Sequence, residues 1–157
     1  MDISLWEDML YGGVASMGFA AISNPPLKSL KCCGLIAGIG HGCRYGLMRG
    51  GWSVVTGSFV AAFVIGILAV LFSRRARCPA ESLSFPSLLP MIPGMYAYRM
   101  VQGLIGCLNN GPGEAFVSNF DVFCYNLIIT FSVILLMVIG ITAPVFMMKR
   151  ISFTATK

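Results

Sequence analysis

Gly34-Leu-Ile-Ala-Gly-Ile-Gly-His-Gly-Cys-Arg-Tyr-Gly-Leu-Met48 is apolar enough to sit in a bilayer, yet it carries the chain's single histidine, an arginine and five glycines. Gly34, Gly38, Gly42 and Gly46 recur every fourth residue, so a helix over this stretch has a bare stripe along one side. Membrane helices, which no hydrophobic force joins inside lipid, use such stripes to bring two backbones close. His41 stands seven residues after Gly34 and shares that side, with Arg44 about one turn further on. Ionisable groups at membrane depth face a protein interior or a watery cavity as a rule. The stretch reads as the lining of a polar site inside a helical membrane protein.

Composition points the same way. Apolar residues make up 57% of the chain, charged residues 11%, and mean hydropathy is +0.81. Soluble domains hold about 45–50% and about 25%. The 157 residues suit one transmembrane domain. A net charge of +5 raises the question of nucleic acid, but the basic residues gather at the ends of apolar segments instead of forming a stripe. The first twenty residues begin acidic, with Asp2, Glu7 and Asp8, unlike a cleavable signal peptide. Six cysteines form no C-x-x-C pair and one histidine completes no common zinc set, so neither metal nor cofactor is expected. The cysteines read as small apolar packing residues.

The expected architecture is all-α, a polytopic membrane protein with about five transmembrane helices, some broken or glycine-rich. The spans fall near residues 5–23, 30–48, 52–72, 88–108 and 122–148. Glu7 and Asp8 lie at the outer edge of the first, which Asn24-Pro25-Pro26 ends. Gly38-x-Gly-His-Gly42 in the second is poor helix-forming sequence, of the kind that splits into half-helices in transporters. A second segment that does not cross fully, leaving four spans, is the alternative. The third span is uncharged from Trp52 to Phe72 and is stopped by Arg74, Arg75 and Arg77. A short loop through Cys78-Pro79 and Phe85-Pro86 leads to the fourth, whose start is interrupted by Pro90 and Pro93-Gly94 and whose middle carries Arg99 and Gln102. Asn109 to Gly113 is a turn, and the last span, with Pro144 near its end, closes at Lys149-Arg150.

Five spans with the N-terminus outside place Lys28, Lys31, Arg74, Arg75, Arg77, Lys149, Arg150 and Lys157 on the cytoplasmic side. Only Arg49 then lies in an outer loop, and of the acids only Glu81 lies inside. For loops this short, such a bias selects one orientation.

His41 and Arg44 admit three readings. Together on one helical side they can point two donors at a carboxylate, with the glycines freeing backbone amides to approach it. Alternatively His41 bonds a neighbouring carbonyl while Arg44 snorkels to the interface. The third reading, a catalytic base, needs a placed nucleophile or metal, and no G-x-S-x-G or H-E-x-x-H accompanies it. Pro90-Met-Ile-Pro-Gly94 is either a helix break at membrane depth or the end of a loop. Tyr96, Tyr98, Arg99 and Gln102 would surround such a break with donors.

These motifs carry a resemblance. Gly18-Phe-Ala, Asn24-Pro-Pro, Gly40-His-Gly-x-Arg44 and Pro90-Met-Ile-Pro-Gly94 with Tyr98 resemble the threonine/serine exporter (ThrE) family, in its small-subunit, YjjB-like form. The similarity spans roughly Gly18 to Gly103, and beyond it only hydropathy is shared. Arg99 stands outside the pattern and enters on its membrane position alone. The resemblance implies export of small amino acids or organic acids, threonine, serine or a dicarboxylate such as succinate, across the bacterial inner membrane. With no catalytic motif and no metal set in the sequence, neither an enzyme activity nor a cofactor is expected. Single-chain members carry a larger N-terminal half, so the resemblance also implies a separate larger YjjP-like subunit, and a homo-oligomer is a further arrangement. The substrate site is then expected at His41, Arg44, Pro90, Pro93, Gly94, Tyr98 and Arg99, with Gly34, Gly38, Gly42 and Gly46 packing helices. The competing function is a non-transporting membrane partner that stabilises or assembles a complex.

Overall fold

The structure, a computed structural model, describes residues 4–22 and 26–148. The Asn24-Pro25 turn, the first span's end at Ser23, and Asp2, Lys149, Arg150 and Lys157 of the charge asymmetry lie outside the described residues. Among those described the fold is all-helical: α1 (Leu5–Ala21), α2 (Leu27–Arg49), α3 (Val54–Ala76), α4 (Ala80–Leu88), a 3-10 turn (Leu89–Met91), α5 (Gly94–Asn109) and α6 (Glu114–Met147). The chain forms two compact units. One holds α1 to α4 and α6 from Leu136 onward; the other is Ile92–Leu135.

α1 starts where it does because Ser4 and Glu7 form a capping box. Ser4 Oγ accepts from the Glu7 amide at 3.3 Å, and Glu7 Oε2 accepts from the Ser4 amide at 2.7 Å. α2 is one unbroken helix of 23 residues, which corrects the expectation of half-helices. Its glycines cost helix propensity, about 1 kcal/mol each against alanine. They are kept helical by what packs on them, as described below. Gly50-Gly51 turns the chain, Gly51 at φ +86° where a side chain is strained. Ser53 then caps α3, accepting from the Thr56 amide at 3.2 Å.

The expected loop after Arg77 is instead α4, a helix buried against α1, α2 and α3. Leu83 and Ala80 are fully buried and Pro86 sits inside it. Proline has no amide hydrogen, so the Ser82 carbonyl one turn back loses its helical donor. Cys33 Sγ of α2 supplies a weak one at 3.8 Å. The first unit's core is Cys33, Ile36, Ile65, Val70, Leu83 and Met91, all fully buried. α3 and the end of α6 meet through glycines: a Cβ on Gly66 would lie 2.8 Å from the Ile141 carbonyl, and one on Gly140 would lie 2.8 Å from that of Phe59.

In the second unit α5 and the start of α6 form a hairpin. Gly103 sits against the backbone of Asn119 and Phe123, and Gly106 against the Asn119 side chain. α6 begins at Glu114, earlier than the apolar run, and at 34 residues is about 50 Å long against a hydrocarbon core of about 30 Å. Two helices among the described residues, α3 and α6, are long and apolar enough to cross a membrane by themselves. Large apolar side chains are nevertheless exposed on most helices, among them Trp6, Leu10, Leu35, Leu71, Leu108 and Phe131. A water-soluble monomer does not leave such faces bare.

Candidate functional site

α1 and α2 run antiparallel and touch at their backbones. A Cβ on Gly13 would lie 2.9 Å from the Gly34 carbonyl, and one on Gly34 would lie 3.2 Å from the Gly13 carbonyl. Gly38 abuts the Met9 carbonyl, and Gly42 the Met9 side chain. Gly40, on the other side of α2, takes the tip of Ile65 from α3. Thus Gly34, Gly38 and Gly42 face this chain's own first helix, while nothing stands within 4 Å of a Cβ on Gly46.

That close crossing sets His41 against α1. Its ring lies over Gly12, where a Cβ would come within 2.5 Å of the ring's Cγ. Asp8, one turn before Gly12, brings Oδ2 to 3.4 Å from His41 Nδ1. The spacing is that of an ion pair, but the alignment is not that of a hydrogen bond, so both ring nitrogens lack a hydrogen-bond partner. His41 is 7% exposed and the Asp8 side chain 31%. A buried imidazole with two unpartnered nitrogens carries a desolvation penalty that a bound polar ligand would relieve.

Arg44, about one turn further along α2, donates from Nη1 to the Met91 carbonyl at 2.8 Å. That carbonyl ends the 3-10 turn after Pro90. The helix does not continue, so it has no intrahelical donor, and Arg44 takes that place. The lower part of the same interface is tied by serines. Ser16 of α1 and Ser87 of α4 both donate to the Cys33 carbonyl, at 3.2 and 3.0 Å. The arrangement fixes α2 between α1 and α4 and holds one permanent cation, one imidazole and one carboxylate near the C-terminal half of α2.

The remaining expected site residues belong to the second unit. Pro93 precedes the first turn of α5, whose Tyr96 and Ala97 amides bond the Pro93 carbonyl, each at 3.1 Å, and the Gly94 amide donates to Ile92 at 2.8 Å. Tyr98 is exposed and its hydroxyl accepts from Gln102 Nε2 at 3.0 Å; Arg99 is exposed beside it. A groove of about 570 Å³ runs along α1 and α2, lined by Trp6, Met9, Leu10, Met17, Lys31 and Leu35 among others. Its walls are apolar and include neither His41 nor Arg44, so it is separate from the polar cluster.

Asp8 is the residue that sequence reasoning left at the membrane edge. The signal was present: Ser4-x-x-Glu7 starts the helix, which puts Asp8 a full turn inside it and on the same side as Gly12. Among the described residues no group of three or more His, Cys, Asp or Glu side chains could hold a metal ion.

A family model described as "Threonine/Serine exporter, ThrE" matches residues 8–147. The match therefore extends well past Gly103, the limit of the motif resemblance, and takes in Asp8 and all of α6. A protein of Haemophilus influenzae described as uncharacterized is 30% identical over 142 residues, which cover 90% of this chain and 47% of that protein. The chain thus spans about half the length of the curated relative it matches. No solved structure matches the chain.

Proposed function

The chain belongs to the threonine/serine exporter family, a family of transporters and not of enzymes, and we propose that it is one membrane subunit of an exporter of small amino acids or organic acids. The observation that carries this reading is the cluster at the α1–α2 crossing. His41 is buried with two unpartnered nitrogens, in line with Arg44 and beside Asp8, inside an otherwise apolar bundle. Charged and titratable groups are costly there and are kept where they bind or move something. His41 and Arg44 take the substrate carboxylate, and the Met91 carbonyl end of the Pro90 break holds Arg44 in place until it arrives. The proposed site is confined to the first unit.

The relative is about twice as long, which supports a working unit made of this chain and a second subunit of the same family, the larger YjjP-like chain that the resemblance implies. The exposed apolar helix faces have room for such a partner or a second copy beside lipid. The protein lies in the bacterial inner membrane with five crossings, N-terminus outside and C-terminus in the cytoplasm, as the charge asymmetry requires. Threonine, serine and dicarboxylates such as succinate are the candidate substrates.

One observation favours the second reading, a non-transporting partner that assembles a complex: Arg44 already has a structural task at the Met91 carbonyl. Vesicles holding both subunits separate the two. Export activity that disappears with His41→Gln or Arg44→Lys, at equal membrane levels and intact assembly, supports transport through this chain. Unchanged export in both variants leaves the chain an assembly partner.

A further inference from the structure

The cluster contains an acid that binding of a carboxylate does not call for. Asp8 sits 3.4 Å from His41, yet the two do not form an aligned hydrogen bond. Glu7, its neighbour, is occupied by the Ser4 amide. Glu81 lies in the first turn of α4, away from the Met91 end that Arg44 reaches. Asp8 is therefore the carboxylate that the fold delivers to His41, about one helical turn before Arg44 on α2. Gly12 lets the imidazole pack directly against α1, within reach of Asp8 one turn away on the same helix.

We propose that Asp8 is the specificity-determining residue of this site: its carboxylate binds the ammonium group of an α-amino-acid substrate and disfavours a dicarboxylate. The assignment rests on the exporter reading above and deepens it. An α-amino acid carries its ammonium and carboxylate on one carbon, so it can enter between Asp8 and His41–Arg44 and exchange one loose pair for two aligned ones. The substrate ammonium donates to Asp8, and the substrate carboxylate accepts from Arg44 and the imidazole. Charge matches as well. Asp8 and Arg44 cancel, which suits a ligand of zero net charge, whereas a dicarboxylate would set a second anion against Asp8. The side chain of the amino acid is left free, so Asp8 selects the class and not the member.

The test uses vesicles containing the complete transporter, with radiolabelled threonine, serine and succinate offered to wild type, Asp8→Asn and Asp8→Glu. Asp8→Asn should lower threonine and serine transport roughly tenfold or more, as expected when a substrate's charged donor faces a neutral amide in place of an anionic acceptor, and should leave succinate transport equal or higher. Asp8→Glu should keep part of the amino-acid preference. An equal fall for all three substrates, or no change for any, would overturn the assignment. A second arm needs no variant: 3-hydroxybutyrate, which is threonine without its ammonium group, should compete poorly against threonine in wild type. Equal competition would overturn the assignment even if Asp8→Asn failed to insert. Wild-type vesicles that move none of the three substrates would instead sink the exporter reading, and this assignment with it.

Discussion

Asp8 Oδ2 and His41 Nδ1 stand 3.4 Å apart across the point where α1 and α2 cross, with Gly12 beneath the imidazole. The carboxylate comes from a first helical turn and the imidazole from the middle of a glycine-rich helix. What joins them is the near-contact of two backbones at Gly13 and Gly34. The polar cluster is thus a consequence of helix packing, and most of its properties can be tested through that packing.

Gly12→Ala should disturb the cluster without touching a charge. The added methyl would overlap the His41 ring, and relief requires ring or helix to move, an overpacking cost of about 1–3 kcal/mol. A lowered melting temperature in detergent, together with impaired transport, is expected. Gly18→Ala on the same helix meets nothing within 4 Å and should be neutral or slightly stabilising. Equal melting of both variants would mean that ring and helix are not in contact.

Gly66→Ala and Gly140→Ala probe the second close contact. Each methyl would stand 2.8 Å from a backbone carbonyl, Ile141 or Phe59, which cannot swing aside as a side chain can. Both should lower thermal stability, again by about 1–3 kcal/mol, whereas Gly46→Ala, with open space around it, should not. Fluorescence-monitored melting of the three variants decides the point.

Arg44→Lys keeps the charge but loses the planar fork. It should weaken both the bond to the Met91 carbonyl and the grip on a substrate carboxylate, so transport should drop while insertion is preserved. His41→Gln should retain some binding and flatten the pH dependence of transport between about pH 5 and 8, since glutamine does not titrate. Wild-type transport rates and pH profiles in both variants would reduce these residues to packing.

Native Cys78 and a cysteine placed at Asn110 report topology. With five crossings and the N-terminus outside, an impermeant thiol reagent should label Asn110→Cys from the outer face of intact cells, in a background lacking the other cysteines. Cys78 should label only after the membrane is opened. Labelling of both from the same side would contradict the five-span arrangement.

The isolated chain should not transport at full rate. The expected bare stripe on α2 is already filled by α1 over Gly34, Gly38 and Gly42, so the need for a partner now rests on the exposed apolar faces and on the half-length match to the relative. Reconstitution of this chain alone, against reconstitution with the proposed larger subunit, measures it directly. Equal rates would show that one subunit suffices.

The sequence by itself determined the class. Long uncharged runs, basic residues at their ends and few ionisable groups between them are properties of composition and spacing, and they survive any arrangement of the helices. The glycine stripe and its histidine were legible for the same reason, because helical periodicity places them on one side whatever lies opposite. Three features needed the tertiary structure. α2 stays whole because neighbours fill the space its glycines leave, which local propensity does not weigh. The segment from Ala80 to Leu88 is helical despite Pro86 because burial between α1, α2 and α3 outweighs a missing hydrogen bond, and Cys33 reaches the orphaned carbonyl. Asp8 looked like an edge charge because its partner is distant in sequence. Only the antiparallel crossing at Gly13 and Gly34 sets its depth against that of His41, and two charges interact by distance in space.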